Sequence, residues 1–145
     1  MHAVAFAHSS RYDAATICHP TDAVGFAAYE LWLGAFRDGS ANLRFAPGHA
    51  LYLRWARECA AQYLREIAGD FSGKASQALS RAATFYDQEV EAATKLIEVC
   101  RRARDDHKGL TTSTTQEATA DLSAALDADR KAVGQIEAAL DALPA

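Results

Sequence analysis

Cys18-His19 places a thiol beside an imidazole, the two groups from which a thiolate nucleophile and its general base are made. Adjacent residues of a strand point to opposite faces, so these two cannot pair, and Cys18 reads as a structural thiol. Di-metal carboxylate chemistry would need Glu-x-x-His pairs facing the inside of a helical bundle. The residues three before His19, His49 and His107 are Thr16, Ala46 and Arg104, so no such pair exists. No G-x-S-x-G elbow, phosphate-binding glycine loop or H-E-x-x-H occurs, and no C-x-x-C zinc spacing. His49, beside Gly48 at a helix start, reads as a partly exposed loop histidine. The expectation is no catalytic residue, no metal and no cofactor.

Glu30 is the sharper case. From Ala23 to Phe36 there are fourteen residues, and Glu30 alone is charged. A carboxylate buried there without a partner would cost several kcal/mol, so an arginine is expected beside it. Arg54 and Arg57, one turn apart, are the candidates. Aromatic residues at helical spacing usually form core, yet Tyr29, Trp32, Phe36, Tyr52, Trp55, Tyr63, Phe85 and Tyr86 could also line a pocket between helices. Tyr29, Trp32 and Tyr52 with Glu30 and Arg54 form the candidate ligand-binding set.

The elements that must hold these residues are helical. Residues 1–20 differ: His2–Phe6 and Ala14–Cys18 are short apolar runs around a polar turn, which predicts a hairpin. Pro20 stops it, and Thr21 or Asp22 can cap the next element. The chain divides accordingly into an N-terminal extension, 1–20, and a helical domain, 21–145. The first helix runs from about Asp22 to Arg37 and ends at Gly39. The second begins at Pro47 and carries Leu51, Trp55, Cys59, Tyr63 and Ile67 every fourth residue, a stripe expected to face the core. A third, from Lys74 to about His107, keeps Leu79, Ala82, Ala83, Tyr86, Val90, Ala93, Leu96 and Cys100 on one side. Gly109 and the Thr111–Thr115 run break it, and a threonine cap with Gln116 or Glu117 as its box partner opens the fourth. The fold class predicted is all-α, an up-and-down four-helix bundle.

Composition narrows the function classes. At 145 residues the chain is one domain's worth, half apolar, with a net charge of −4 and no basic stripe. That argues against nucleic acid. The longest apolar run is too short for a bilayer, and no secretory leader follows Met1, so no membrane is expected. Three cysteines, Cys18, Cys59 and Cys100, lie far apart; two fall on helical core positions and are expected to be reduced, buried thiols of a cytoplasmic protein.

Ala28–Gly39, then Ala56–Ala68, then Ala82–Val90 and the alanine-rich last helix resemble a type of bacterial protein. These are the papain-like, double-glycine-peptidase-like proteins related to the butirosin biosynthesis protein H acyltransferases. In them a helical region follows a cysteine-peptidase-like domain, and the resemblance covers residues 22–143. It extends to His2–Phe6, which looks like the strand opened by the catalytic histidine, but His19 stands where Asp or Asn would orient that histidine. All three cysteines follow His2, the wrong chain order for that family, so its chemistry does not carry over.

Three functions are open on these grounds. The chain is expected to be a non-catalytic module that binds a protein partner or itself, as a homo-oligomer, through the apolar first helix. It could instead be a small-molecule-binding accessory domain of natural-product or peptide metabolism. The third option is half of a split papain-like acyltransferase or peptidase, with His2 completing a cysteine from another chain.

Overall fold

The computed structural model describes residues 25–106 and 109–143. Four helices succeed one another: α1 (Phe26–Arg37), α2 (Ala46–Ala68), α3 (Gly73–Asp105) and α4 (Thr112–Asp141). No strand occurs among the described residues. This is the up-and-down helical bundle that the periodicity predicts. The hairpin expected at 1–20, and the caps expected at Thr21 and Asp22, lie outside the described residues.

The punctuation is local chemistry. After α1 the chain turns at Gly39, whose φ of 77° is cheap only without a Cβ. The Ser40 amide donates to Asp38 Oδ1 at 2.9 Å, and the Arg44 amide donates to Asn42 Oδ1 at 3.0 Å, so the connection to α2 is held by two side-chain turns. At the start of α4 the Thr114 amide donates to Thr111 Oγ1 at 3.2 Å, and the Thr111 amide donates to Thr114 Oγ1 at 2.8 Å. The capping-box partner is therefore Thr114, not Gln116 or Glu117, because Thr114 stands at the third helical position where the return bond is made. Glu117 pairs instead with Arg102 of α3.

α3 and α4 have 33 and 30 residues and are the long antiparallel hairpin of the bundle, each roughly 45–50 Å long. α2 packs along α3, and α1 packs on α4. The core falls into two clusters. The first joins Tyr29, Leu33 and Phe36 of α1 to Ala46 and Ala50 of α2, Leu96, Ile97 and Cys100 of α3, and Leu122 and Leu126 of α4. The second joins Ala61 and Leu64 of α2 to Leu79, Ala82, Ala83 and Tyr86 of α3 and Ala132 and Ala139 of α4, and takes nothing from α1. Seven of the ten buried residues in the second cluster are alanine, which lets these helices lie close.

Two burial expectations are corrected. The α2 stripe through Leu51, Trp55, Cys59 and Tyr63 faces outward; the buried side is Ala46, Ala50, Ala61, Leu64 and Ala68. The helical period was right and its phase wrong, because large apolar side chains mark the outer face of α2 and small ones its inner face. Cys59 is correspondingly exposed, whereas Cys100 is buried as expected. In α1, Leu31 is 61% exposed, so that helix is not buried on all sides.

Candidate functional site

Between the two clusters lies a layer of buried charge. Arg57 sits on α2 between Ala50 and Ala61, Glu89 on α3 between Tyr86 and Ala92, and Asp129 on α4 between Leu126 and Ala132. Glu89 and Asp129 occupy core positions and are 0% and 3% exposed, whereas the Arg57 side chain is a quarter exposed. The Arg57 guanidinium bridges them: Nε donates to Glu89 Oε2 at 2.9 Å and Nη2 donates to Asp129 Oδ2 at 3.0 Å. The Tyr29 hydroxyl of α1 donates to Glu89 Oε1, and Arg57 Nη2 also reaches Tyr29 Oη at 3.5 Å. The guanidinium carbon lies 5.2 Å from the centre of the Tyr86 ring. All four helices thus meet at one arginine.

One cation faces two carboxylates, so one negative charge is not balanced within the layer. Burial pushes the Glu89 carboxyl up to about 7, with Arg57 opposing and Asp129 adding to the rise. Asp129 is raised for the same first reason. Burial also works against the Arg57 charge, but Glu89, Tyr29 and Asp129 outweigh it and hold the guanidinium ionised. Tyr86 is pushed up to about 12 by burial. A carboxyl near neutrality has the acidity of a general base, but Glu89 is sealed from solvent and surrounded by ion-pair and hydrogen-bond partners. Among the described residues no group of three His, Cys, Asp or Glu side chains could hold a metal ion.

Beyond Tyr86 the second cluster is open on one side. A groove of about 280 Å³ runs between α2 and α4 over α3, lined by Tyr63, Leu64 and Ile67, by Phe71 of the α2–α3 connection, by Leu79 and Tyr86, and by Ile136 and Leu140. Its lining is almost wholly apolar. It lies beside the cluster that α1 does not reach, so among the described residues three helices surround it.

The outer face of α2 continues from this groove. Leu51, Tyr52, Trp55 and Tyr63 are all exposed, Trp55 by 62% and Tyr63 by 60%, with Phe45 exposed at the N-cap. Tyr63 belongs both to this row and to the groove wall, where Ile67 follows it.

The five residues proposed from sequence as a ligand set are dispersed. Tyr29 is buried in the charge layer. Glu30 is exposed and accepts from Arg130 Nη2 of α4 at 3.0 Å, so its arginine partner is neither Arg54 nor Arg57. Trp32 packs against Phe36, with ring centres 6.0 Å apart, and edge-on to His49. Tyr52 is 72% exposed, and Arg54 lies 3.4 Å from Glu58 on its own helix. None of the five lines the groove. Sequence reasoning passed over Glu89 and Asp129. Their signal was present: Glu89 falls three after Tyr86 and four before Ala93, and Asp129 falls three after Leu126 and four before Val133. Both are charged residues on an apolar stripe. His2, His19 and Cys18, on which the split-enzyme expectation turns, lie outside the described residues.

No family model matches the chain, and neither the curated proteins nor the solved structures include a match.

Proposed function

We propose that the protein is a non-catalytic helical module that associates with itself through the outer face of α2. The carrying observation is the row Leu51, Tyr52, Trp55 and Tyr63, solvent-facing on a helix whose buried side is mostly alanine. An aromatic residue presents about 150–250 Å², so these side chains and Phe45 together leave on the order of 500 Å² in the open. That is the size of the largest apolar patch on a typical monomer, about 300–600 Å², a patch that is often functional, and the groove walls would have to bring it to the roughly 800 Å² per partner of a standard interface. The first helix, where the sequence placed this surface, exposes Leu31. The charge layer supports the same reading from the other side: its two carboxylates, Glu89 and Asp129, are buried and bound to Arg57.

Sedimentation velocity of the full chain over a rising concentration series tests this. A species of twice the chain mass is expected, and Trp55→Glu is expected to return it to monomer without loss of helical signal. A monomer throughout would refute it.

A second reading, an apolar small molecule in the groove, rests on the volume of about 280 Å³ and its apolar walls. Saturable binding of a naphthalene dye to a monomeric species, lost in Ala139→Phe, would favour it over self-association.

A further inference from the structure

The self-association reading leaves open how two copies meet, and α2 carries a specific answer. Leu51, Trp55, Cys59, Tyr63 and Ile67 form one i±4n ridge, and its order is symmetric about Cys59: aliphatic, aromatic, thiol, aromatic, aliphatic. Two such ridges interdigitate when helices cross at about −50°, the commonest packing class. A two-fold axis at Cys59 would set each Trp55 opposite Tyr63 of the second copy and place the two Cys59 residues face to face.

The two ends of this ridge also complement each other in shape. Trp55 projects from the surface, 62% exposed, and Tyr63, two turns on, forms the wall of the apolar groove. Knob and hole therefore sit on one helix, about 12 Å apart along its axis, on either side of Cys59. An isologous interface needs this relation, because residue i of each copy must meet residue j of the other. The groove, about 280 Å³, is larger than an indole and offers no charged side chain to desolvate. Among the described residues no fourth element joins this half of the bundle, since the second cluster takes nothing from α1. The ridge itself carries no charge, so like-charge repulsion does not oppose the pairing.

The geometry points to an isologous dimer in which α2 crosses α2 of a second copy at Cys59 and each Trp55 enters the other copy's groove between α2 and α4. The proposal rests on the self-association reading and adds the axis and the docking pocket.

Cys59 supplies the test. Cys100 is buried, so a Cys18→Ser background leaves Cys59 as the reactive thiol of the full chain. Oxidation by copper–phenanthroline should give a disulfide-linked dimer rapidly, abolished by Cys59→Ser and slowed at least about tenfold, the equivalent of 1.4 kcal/mol in the dimer equilibrium, by Trp55→Ala. Ala139→Phe, which fills the groove from its far wall, should slow it likewise. Trp55 is exposed and its removal leaves the fold intact, so the outcome does not depend on the groove variant folding. A dimer by sedimentation whose Cys59 residues do not link, or link equally fast in Trp55→Ala, would overturn the docking mode and leave self-association standing. A monomer with freely reactive Cys59 would overturn both. A monomer whose Cys59 resists a thiol reagent would also overturn both, and would assign the α2 face to the chain's own first twenty-four residues.

Discussion

Glu89 is the residue on which the chemistry of the core turns. Burial holds its carboxyl up to about 7, against an ordinary value of 4.5. The folded chain therefore keeps a proton that the unfolded chain has released across that window. Stability from this group is full below about pH 4.5 and falls as pH rises through 7, by up to about 3 kcal/mol. Tyr29 of α1, Arg57 of α2, Tyr86 of α3 and Asp129 of α4 face it; Asp129, also raised, titrates in the same direction. The urea midpoint at fixed protein concentration is expected to be lower at pH 8 than at pH 5, and Glu89→Gln to flatten that difference. A wild-type midpoint that climbs over this range would contradict the assignment. Glu30 is the opposite case: its ion pair with Arg130 is about half exposed on both sides, so Glu30→Gln should change stability by no more than about 1 kcal/mol. At Glu30 the expectation of an arginine rested on burial, whereas Glu30 is exposed and meets Arg130 because α1 lies against α4. The sequence could not rank Glu30 below Glu89, since a lone charge on an apolar helix attracts notice and a charge on a helix full of charges does not.

At the scale of the elements, the charge layer fixes how far each helix is slid along its neighbours. α3 and α4 are alanine-rich, and alanine faces alone tolerate a shift by one turn. Arg57 reaches Glu89 and Asp129 together in one register only, because its guanidinium has a fixed fork. Removing the cation leaves two buried carboxylates, so Arg57→Ala should cost about 3–5 kcal/mol at pH 8, less at pH 5 where they take up protons. Replacing Arg57, Glu89 and Asp129 together by leucine should be neutral or stabilising by about 1–4 kcal/mol. Chemical denaturation of both variants decides this; a triple variant as unstable as Arg57→Ala would show that the layer contributes stability and not alignment. Within the first cluster, fully buried Leu96→Ala should cost about 2–5 kcal/mol, while exposed Leu31→Ala should stay within about 0.5 kcal/mol. Helix ends were legible because Gly39, Pro47, Gly109 and the threonine run are chemical stops. The phase of α2 was not, for a physical reason. Periodicity finds a stripe but cannot tell a core from an interface, and here the interface-like side holds the larger apolar groups.

For the whole molecule, no fourth helix among the described residues covers the second cluster, and the aromatic row of α2 runs beside the open groove. On the self-association proposal, these two surfaces are why α2 keeps Trp55 and Tyr63 outside while alanine fills its inner side. No helix among the described residues is long and apolar enough to cross a membrane, so a bilayer-spanning segment is not what α2 offers. Self-association through α2 is the central claim, and sedimentation equilibrium of the full chain beside Trp55→Ala tests it most directly. A monomer–dimer equilibrium in the wild type, with the dimer weakened at least about tenfold in Trp55→Ala, is the predicted result. Identical masses for the two proteins at every concentration, monomeric or dimeric, would contradict it.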